Sequence, residues 1–339
     1  MENPETGVQV ATAGEALMDL VAGADGRLAP CEGGAVYNFT RALALQGVGT
    51  AYLNPLSRDG FGRRLARGLA AAGVELACAL PVEEPTSLAL VSVDEHGHPA
   101  YGFYRGAVAD RAIDAPALCS AMEKFPALQV VCTGCLALAP EDQARYQPWL
   151  RAAREKGVAV VVDANLRPAA VNNLPAYRAS VLAALALADV IKASDEDLAA
   201  LMPQHADPLQ AARSLFALGP VRIVAFTRGR EGALLLARDG RAWQARDSAP
   251  LRIADTVGAG DSFLAGLVAG LLASGGFTAG EPLSGAAAEG ALTRAVASAS
   301  FCVQQHGCVP PDAASVRAAL AGGSIVVEPV PLTPPPMNA

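Results

Sequence analysis

Charge is scarce in this chain: only 17% of its 339 residues are Asp, Glu, Lys or Arg, while 52% are apolar. That composition excludes a disordered polymer and leaves material for a large buried core. Positive charge is in deficit as well. A formal net charge of −7 gives no general attraction for nucleic acid or an anionic membrane, so an anionic ligand has to be held by a local cluster of donors. Long apolar runs are also missing, since "SVLAALALADVI" and "SFLAGLVAGLLASGG" fall short of the ~20 residues that cross a bilayer. The opening "MENPETGVQVATAG" lacks the basic-then-apolar order of an export signal. The expectation is a cytoplasmic protein with small-molecule partners, and neither nucleic acid nor membrane among them.

Metal and redox chemistry find little support. Of four histidines, only His96 and His98 are close in sequence, in a Gly/Pro turn. Seven cysteines, an odd number without an export signal, fit free thiols. Cys132 and Cys135 form a CxxC, but no second pair completes a zinc site, and the motif reads as the end of the strand "ALQVVC". Gly266 and Gly270 read as close packing of a buried helix rather than a membrane dimer. No GxxxxGK[ST] occurs, and Gly258-Ala259-Gly260 fails the dinucleotide fingerprint at its third glycine.

What is present is an alternation. Short apolar runs ("VQVATA", "TAYLN", "LQVVCTG", "VAVVVDAN", "DVIKAS", "VRIVAFT") are separated by longer amphipathic segments such as "FGRRLARGLAAAG" and "YQPWLRAAREKG". Repeated βα units of this kind predict an α/β fold with a doubly wound, mostly parallel sheet flanked by helices. The rhythm breaks at about residues 20–34 and 86–110, which read as short strands joined by Gly-containing turns. They predict a small β-sheet lid on a single domain spanning 1–323, followed by a loose Pro-rich tail at 324–339.

One stretch carries most of the chemistry. In "ADTVGAGDSFLAGLVAGLL" a Gly-x-Gly turn opens a helix, where free backbone N–H groups and the helix dipole favour an anion. Asp261 stands in the mouth of that site. By spacing alone it is either an ordinary N-capping Asp or a functional acid. Phosphoryl transfer to an alcohol needs both a base at the hydroxyl proton and donors around the phosphoryl oxygens, and this turn offers both.

"DTVGAGDSFLAG" resembles the C-terminal signature of the ribokinase-like (PfkB) carbohydrate kinases, whose D-T-x-G-A-G-D run ends in the catalytic base. "GGAVYNFTRALALQG" resembles the family's N-terminal signature. The two stand more than 200 residues apart in the family's order, and the likeness covers about residues 8 to 320. It implies a ribokinase-like fold, ATP and Mg²⁺ as cofactors, a sugar as acceptor, and a homodimer through the lid. Asp261 is implied to take the hydroxyl proton, with the amides of Gly258, Ala259 and Gly260 as anion hole. Asp19, in "GEALMDL", matches the early acid that binds sugar hydroxyls, and Gly33, Gly34 and Asn38 match sugar contacts. "FTRGREGA" resembles the T-x-G-x-x-G turn, which implies Thr227, Gly229 and Gly232 along the nucleotide. Arg167 in "DANLRP" is implied on phosphate or substrate, or else caps a strand end at the surface. Asp255 matches a position that helps hold a monovalent cation such as K⁺, with carbonyls near Gly307.

Some positions depart from the family pattern. Its N-x-x-E motif appears as Ser194-Asp195-Glu196-Asp197, implying Ser194 near the nucleotide and Asp197 toward Mg²⁺ through water. Asn54 and Ser57 replace residues that are usually glycine. "YGFYRGAVAD" resembles the lid segment of bacterial fructokinases, where Arg105 would fork two hydrogen bonds to a polyol or a carboxylate. The resemblance therefore implies a kinase of fructose, with 2-keto-3-deoxygluconate or another sugar or nucleoside as alternatives. A catalytically silent sugar sensor is the remaining reading, and the joint presence of Asp261 and an unblocked Gly-Ala-Gly argues against it.

Overall fold

The computed structural model describes residues 7–23, 25–93, 99–278 and 280–331. The strands are β1 (Val10–Thr12), β2 (Leu17–Ala22), β3 (Leu28–Gly33), β4 (Thr50–Tyr52), β5 (Glu75–Leu76), β6 (Ser87–Val93), β7 (Pro99–Tyr104), β8 (Val130–Gly134), β9 (Ala159–Asp163), β10 (Val190–Ser194), β11 (Ile223–Thr227), β12 (Ala233–Ala237), β13 (Ala242–Asp247) and β14 (Ile325–Pro329). The helices are α1 (Ala35–Leu45), α2 (Gly60–Ala71), α3 (Ala115–Met122), α4 (Gln143–Glu155), α5 (Leu174–Leu185), α6 (Asp195–Leu201), α7 (Pro208–Ser214), α8 (Ala259–Ala273), α9 (Gly285–Cys302) and α10 (Ala313–Ala321).

Ten strands form one sheet in the order β14-β13-β12-β11-β10-β9-β8-β1-β4-β5. From β11 to β5 every neighbouring pair is parallel, while β12, β13 and β14 are added antiparallel. Side chains alternate across this sheet. Val131, Val160, Val162, Ile191 and Val224 pack on one face with Leu118 of α3, Trp149 of α4 and Val181 of α5. Val130, Val161, Val190 and Ile223 pack on the other with Phe39 of α1, Leu267 of α8 and Leu292 of α9. Strands buried on both faces need no polar side, which is why they appear in the sequence as continuous apolar runs. The chain moves from β1 outward to β4 and β5, then crosses back to β8. This leaves a crevice at the carboxyl ends of β1 and β8, the usual ligand site in such sheets.

A second, four-stranded sheet has the order β3-β2-β6-β7, with β2 and β6 parallel and the outer pairs antiparallel. It begins at Leu17, earlier than the expected residue 20, so Asp19 is a mid-strand residue. His96 and His98 lie outside the described residues. The loose tail expected from residue 324 is corrected in part: Ile325–Pro329 pair antiparallel with β13, and Ile325 and Val327 pack on the core beneath α9. The β-branched pair Ile325 and Val326 begins an edge strand, where a proline at its end costs no ladder bond from a central position. Residues 332–339 lie outside the described residues. No helix among the described residues is long and apolar enough to cross a membrane.

Helix α8 is clamped against α9. A Cβ at Gly270 would stand 2.5 Å from Ala291 Cα, and one at Gly266 would stand 2.7 Å from the Arg294 carbonyl oxygen. The Gly266/Gly270 pair thus serves close helix packing, and it fixes the helix whose first turn carries Asp261. Overpacking of this kind costs roughly 1–3 kcal/mol. Gly270→Val is expected to lower the urea midpoint accordingly, and an unchanged midpoint would show that the two helices are free to separate.

Candidate active site

Gly258 caps α8 in the left-handed region (φ 76°, ψ 2°), and Cys308 occupies the space that a Cβ there would need. Only glycine meets both conditions. The Ser262 N–H closes the first turn onto the Gly258 carbonyl at 2.8 Å. The Ala259 N–H turns back to the Thr256 carbonyl at 3.3 Å, so one of the three amides expected in the anion hole is already engaged. Those of Gly258 and Gly260 donate to no acceptor among the described residues, and they face the favourable end of the helix dipole.

Asp261 follows in the same turn and is buried. Its Oδ2 accepts a hydrogen bond from Asn38 Nδ2 at 3.0 Å, which joins the first turn of α8 to the first turn of α1. Asn38 Oδ1 is buried without a partner. Burial pushes the Asp261 carboxyl above the ordinary carboxylate range, while Asn38, Lys192 and Arg167 hold it down.

The start of α1 is built from the loop after β1. Gly34 takes a positive φ of 101° and packs against the Glu15 carbonyl. Glu15 Oε1 accepts the Ala35 N–H at 3.0 Å, and the Glu15 carbonyl accepts the Tyr37 N–H at 3.2 Å. Glu15 is wholly buried, and that burial pushes its carboxyl up to about 7 despite Arg105 nearby. From β2, the Asp19 carboxylate occupies the space over Gly33 that a side chain would take, and it accepts no hydrogen bond among the described residues. Burial raises it to about 6, with Arg167 opposing and Asp261 adding to the rise. Arg167 uses Nη1 on the Leu166 carbonyl at 2.9 Å and lies within electrostatic reach of both Asp19 and Asp261.

Beneath the glycine turn is a buried ion pair. Lys192 of β10 faces Asp163 of β9 in register, with Nζ 3.0 Å from Oδ1. The same Nζ lies 3.1 Å from where a Gly260 Cβ would stand, so the missing side chain leaves the ammonium next to the helix start. Further along the carboxyl edge, Ser194 and Thr227 are in register at the ends of β10 and β11. Gly229 and Gly232 shape the following turn, closed by the Arg228 N–H to the Gly232 carbonyl at 2.9 Å.

The model of pfkB family carbohydrate kinases matches residues 9–314. The chain belongs to this family. A fructokinase from Klebsiella pneumoniae is 32% identical over 77% of this chain and 84% of its own length. In fold, a fructokinase from Xylella fastidiosa solved with bound ATP superposes with a TM-score of 0.80 at 22% identity, covering 94% of this chain and 99% of that one. An aminoimidazole riboside kinase from Salmonella enterica has a TM-score of 0.76 at 22% identity, over 92% and 99%. One fold thus carries kinases of different sugars, and only side chains can separate them.

In this pfkB kinase, three residues expected in the site make hydrogen bonds and ion pairs within the protein. Arg105 points inward: Nη1 donates to the Leu136 carbonyl at 3.1 Å and meets Asp142 at 3.4 Å, while Nη2 meets Asp110 at 3.4 Å. A buried guanidinium has to be paired, so its fork is used inside the protein rather than on a substrate. Asp197 gives one oxygen to the Ser194 N–H at 2.8 Å and the other to the Leu166 N–H at 2.7 Å, while Ser194 Oγ accepts the Asp197 N–H. The pair is a capping box, the arrangement Glu or Gln usually makes at this position, with the second Asp197 oxygen spent on the Leu166 amide. Asp255 likewise accepts from the Val257 and Gly307 amides, both at 3.0 Å, and ties two loops together.

Asn54 gains a physical account. It accepts from the Gly14 N–H at 2.9 Å and donates to the Asp110 carbonyl and the Tyr146 hydroxyl at 2.7 and 2.8 Å. Sequence reasoning missed Glu15, Asp163 and Lys192. A lysine inside the apolar run "DVIKAS" was the available signal for the last of these.

A carboxyl raised to about 6 is ionised only above that pH, so an acceptor role for Asp19 is lost as pH falls through 6. The kcat/KM for the sugar is expected to climb with unit slope up to about pH 6 and then level off. Asp19→Asn should abolish that inflection, whereas an inflection that survives the substitution would assign it to another group.

Proposed function

We propose that this pfkB kinase transfers the γ-phosphate of ATP to D-fructose, with Asp261 as general base. The observation that supports this most directly is the 3.0 Å bond from Asn38 to Asp261, which aims an otherwise unshared carboxylate beside the open amides of Gly258 and Gly260. In this reading Asp261 accepts the sugar hydroxyl proton as that oxygen bonds to the γ-phosphorus and the bond to the ADP oxygen breaks. The Gly258 and Gly260 amides donate to the transferring phosphoryl oxygens, and the Lys192 ammonium behind Gly260 adds positive charge where negative charge accumulates.

Asp19, Arg167 and Asn38 Oδ1 hold the sugar. Thr227, Gly229 and Gly232 line the nucleotide, and the Ser194 hydroxyl acts there through its cap. Mg²⁺ neutralises phosphate charge when bound. With Asp197 and Asp255 bonded to backbone amides, the exposed Glu196 is the acid of the motif that would hold it.

The choice of sugar follows from charge. Asp19 and Asp261 face the acceptor, Arg167 opposes both, Lys192 is already paired with Asp163, and Arg105 is consumed by Asp110 and Asp142. A neutral polyol suits that surface better than an acid sugar, and the curated relatives from Klebsiella pneumoniae and Rhizobium leguminosarum are named fructokinases.

Release of ADP measured with fructose, ribose, 2-keto-3-deoxygluconate and aminoimidazole riboside should give the highest kcat/KM for fructose. A higher value for the acid sugar would overturn the substrate, and inactivity of the folded protein on all four would overturn the kinase reading. Asp261→Asn is expected to lower kcat by about 10²–10⁴-fold with sugar KM changed less. Turnover close to that of the parent would remove Asp261 as the base.

A further inference from the structure

Helix α1 begins without a cap of its own. Its N-cap is Gly34, which has no side chain to offer, and no acid lies in its first turn. The amides that a cap would satisfy turn instead to a residue in the loop after β1. The Ala35 N–H donates to Glu15 Oε1 at 3.0 Å, and the Tyr37 N–H donates to the Glu15 carbonyl at 3.2 Å. A Cβ at Gly34 would stand 2.8 Å from that carbonyl oxygen and 3.2 Å from Glu15 Cγ, so the missing side chain is what lets the loop come this close. Glu15 thus takes the place of a capping side chain from outside the helix. The loop is held from its other side as well. The Gly14 N–H donates to Asn54 Oδ1 at 2.9 Å, and the Gly14 carbonyl accepts from the Tyr52 hydroxyl at 2.7 Å. Asn54 in turn donates to the Asp110 carbonyl, and Asp110 pairs with Arg105, directly after lid strand β7. The sheet and the lid together therefore place the acid, while its Oε2 is buried with no hydrogen-bond partner among the described residues.

We propose that Glu15 is a positioning residue for phosphoryl transfer, which caps α1 from the neighbouring loop and so holds Asn38 in line with Asp261. This role presupposes Asp261 as the general base. Asn38 belongs to the turn that Glu15 caps: its N–H donates to the Gly34 carbonyl at 2.9 Å, and its Nδ2 reaches Asp261 Oδ2 at 3.0 Å. Without an acceptor at Glu15 the Ala35 amide loses its partner, the first turn loosens, and the Asn38 side chain moves with it. The Asp261 carboxylate then loses its fixed direction toward the hydroxyl. The cost falls on turnover, because direction matters while the proton is transferred, whereas Thr227, Gly229 and Gly232 stand on other elements and keep their places along the nucleotide.

The test measures ADP release by the full chain with whichever of the four sugars it uses best. Glu15→Met keeps the length of the side chain and removes the acceptor, and it is expected to lower kcat about 10–100-fold with the KM for ATP unchanged. Glu15→Gln, which keeps an oxygen at the same reach, should restore most of that loss. Glu15→Asp, which keeps the charge but draws the oxygen back by a methylene, should restore less. Asn38→Ala should also lower kcat, and adding Glu15→Met to it should lower kcat no further, since both act through one bond. Glutamine no better than methionine, aspartate better than glutamine, or losses that multiply in the double variant would each overturn the proposal. The order of glutamine and aspartate decides it even where Glu15→Met does not fold. Parental turnover in Glu15→Met beside an impaired Asp261→Asn would strike this role alone, whereas parental turnover in Asp261→Asn would strike the base itself.

Discussion

The site depends on one hydrogen bond between residues far apart in sequence, from Asn38 Nδ2 to Asp261 Oδ2. It brings two helix starts together, each opened by a glycine with positive φ, and it settles which way a buried carboxylate faces. An acid at an anion site works only if its charge is aimed away from the phosphate. Asn38 supplies that aim and leaves its own Oδ1 without a partner. Burial alone would favour the neutral acid, and Asn38, Lys192 and Arg167 oppose that effect.

The Lys192–Asp163 pair belongs to the same balance. It is held by strand register rather than by a loop, so its position is as rigid as the parallel sheet itself. Removing one member of a buried pair typically costs about 3–5 kcal/mol, because the other is left uncompensated. Directly under Gly260 the pair presents its ammonium end to the helix start, behind an otherwise neutral set of amides. Burial pushes Asp163 up to about 7 against the pull of Lys192, which marks how closely the charges of this site are matched.

Much of the architecture was legible in the sequence because it follows from local pattern. The alternation of apolar runs and amphipathic segments gave away the parallel sheet, and the Gly-Ala-Gly turn with Asp261 identified the helix start. The failures have a common cause, which is that a side chain's partner is decided by tertiary structure. Arg105 looked available on a lid strand until Asp110 and Asp142 claimed it. Asn54 looked like an unexplained departure until Gly14, Asp110 and Tyr146 surrounded it. Ile325 to Pro329 looked like tail because proline dominates the segment's composition, whereas β13 offered an edge to pair with.

The exchange of Glu for Asp at residue 197 has the widest consequence. The Asp197 carboxylate closes on its own helix start and on the Leu166 amide, joining α6 to the segment that carries Arg167. Its two oxygens accept backbone amides on both sides of the site edge. In the proposed transfer the phosphate charge falls to groups that do not titrate near neutral pH: the free amides of α8, the helix dipole, and an ammonium whose pKa is driven up by Asp163 against the effect of burial.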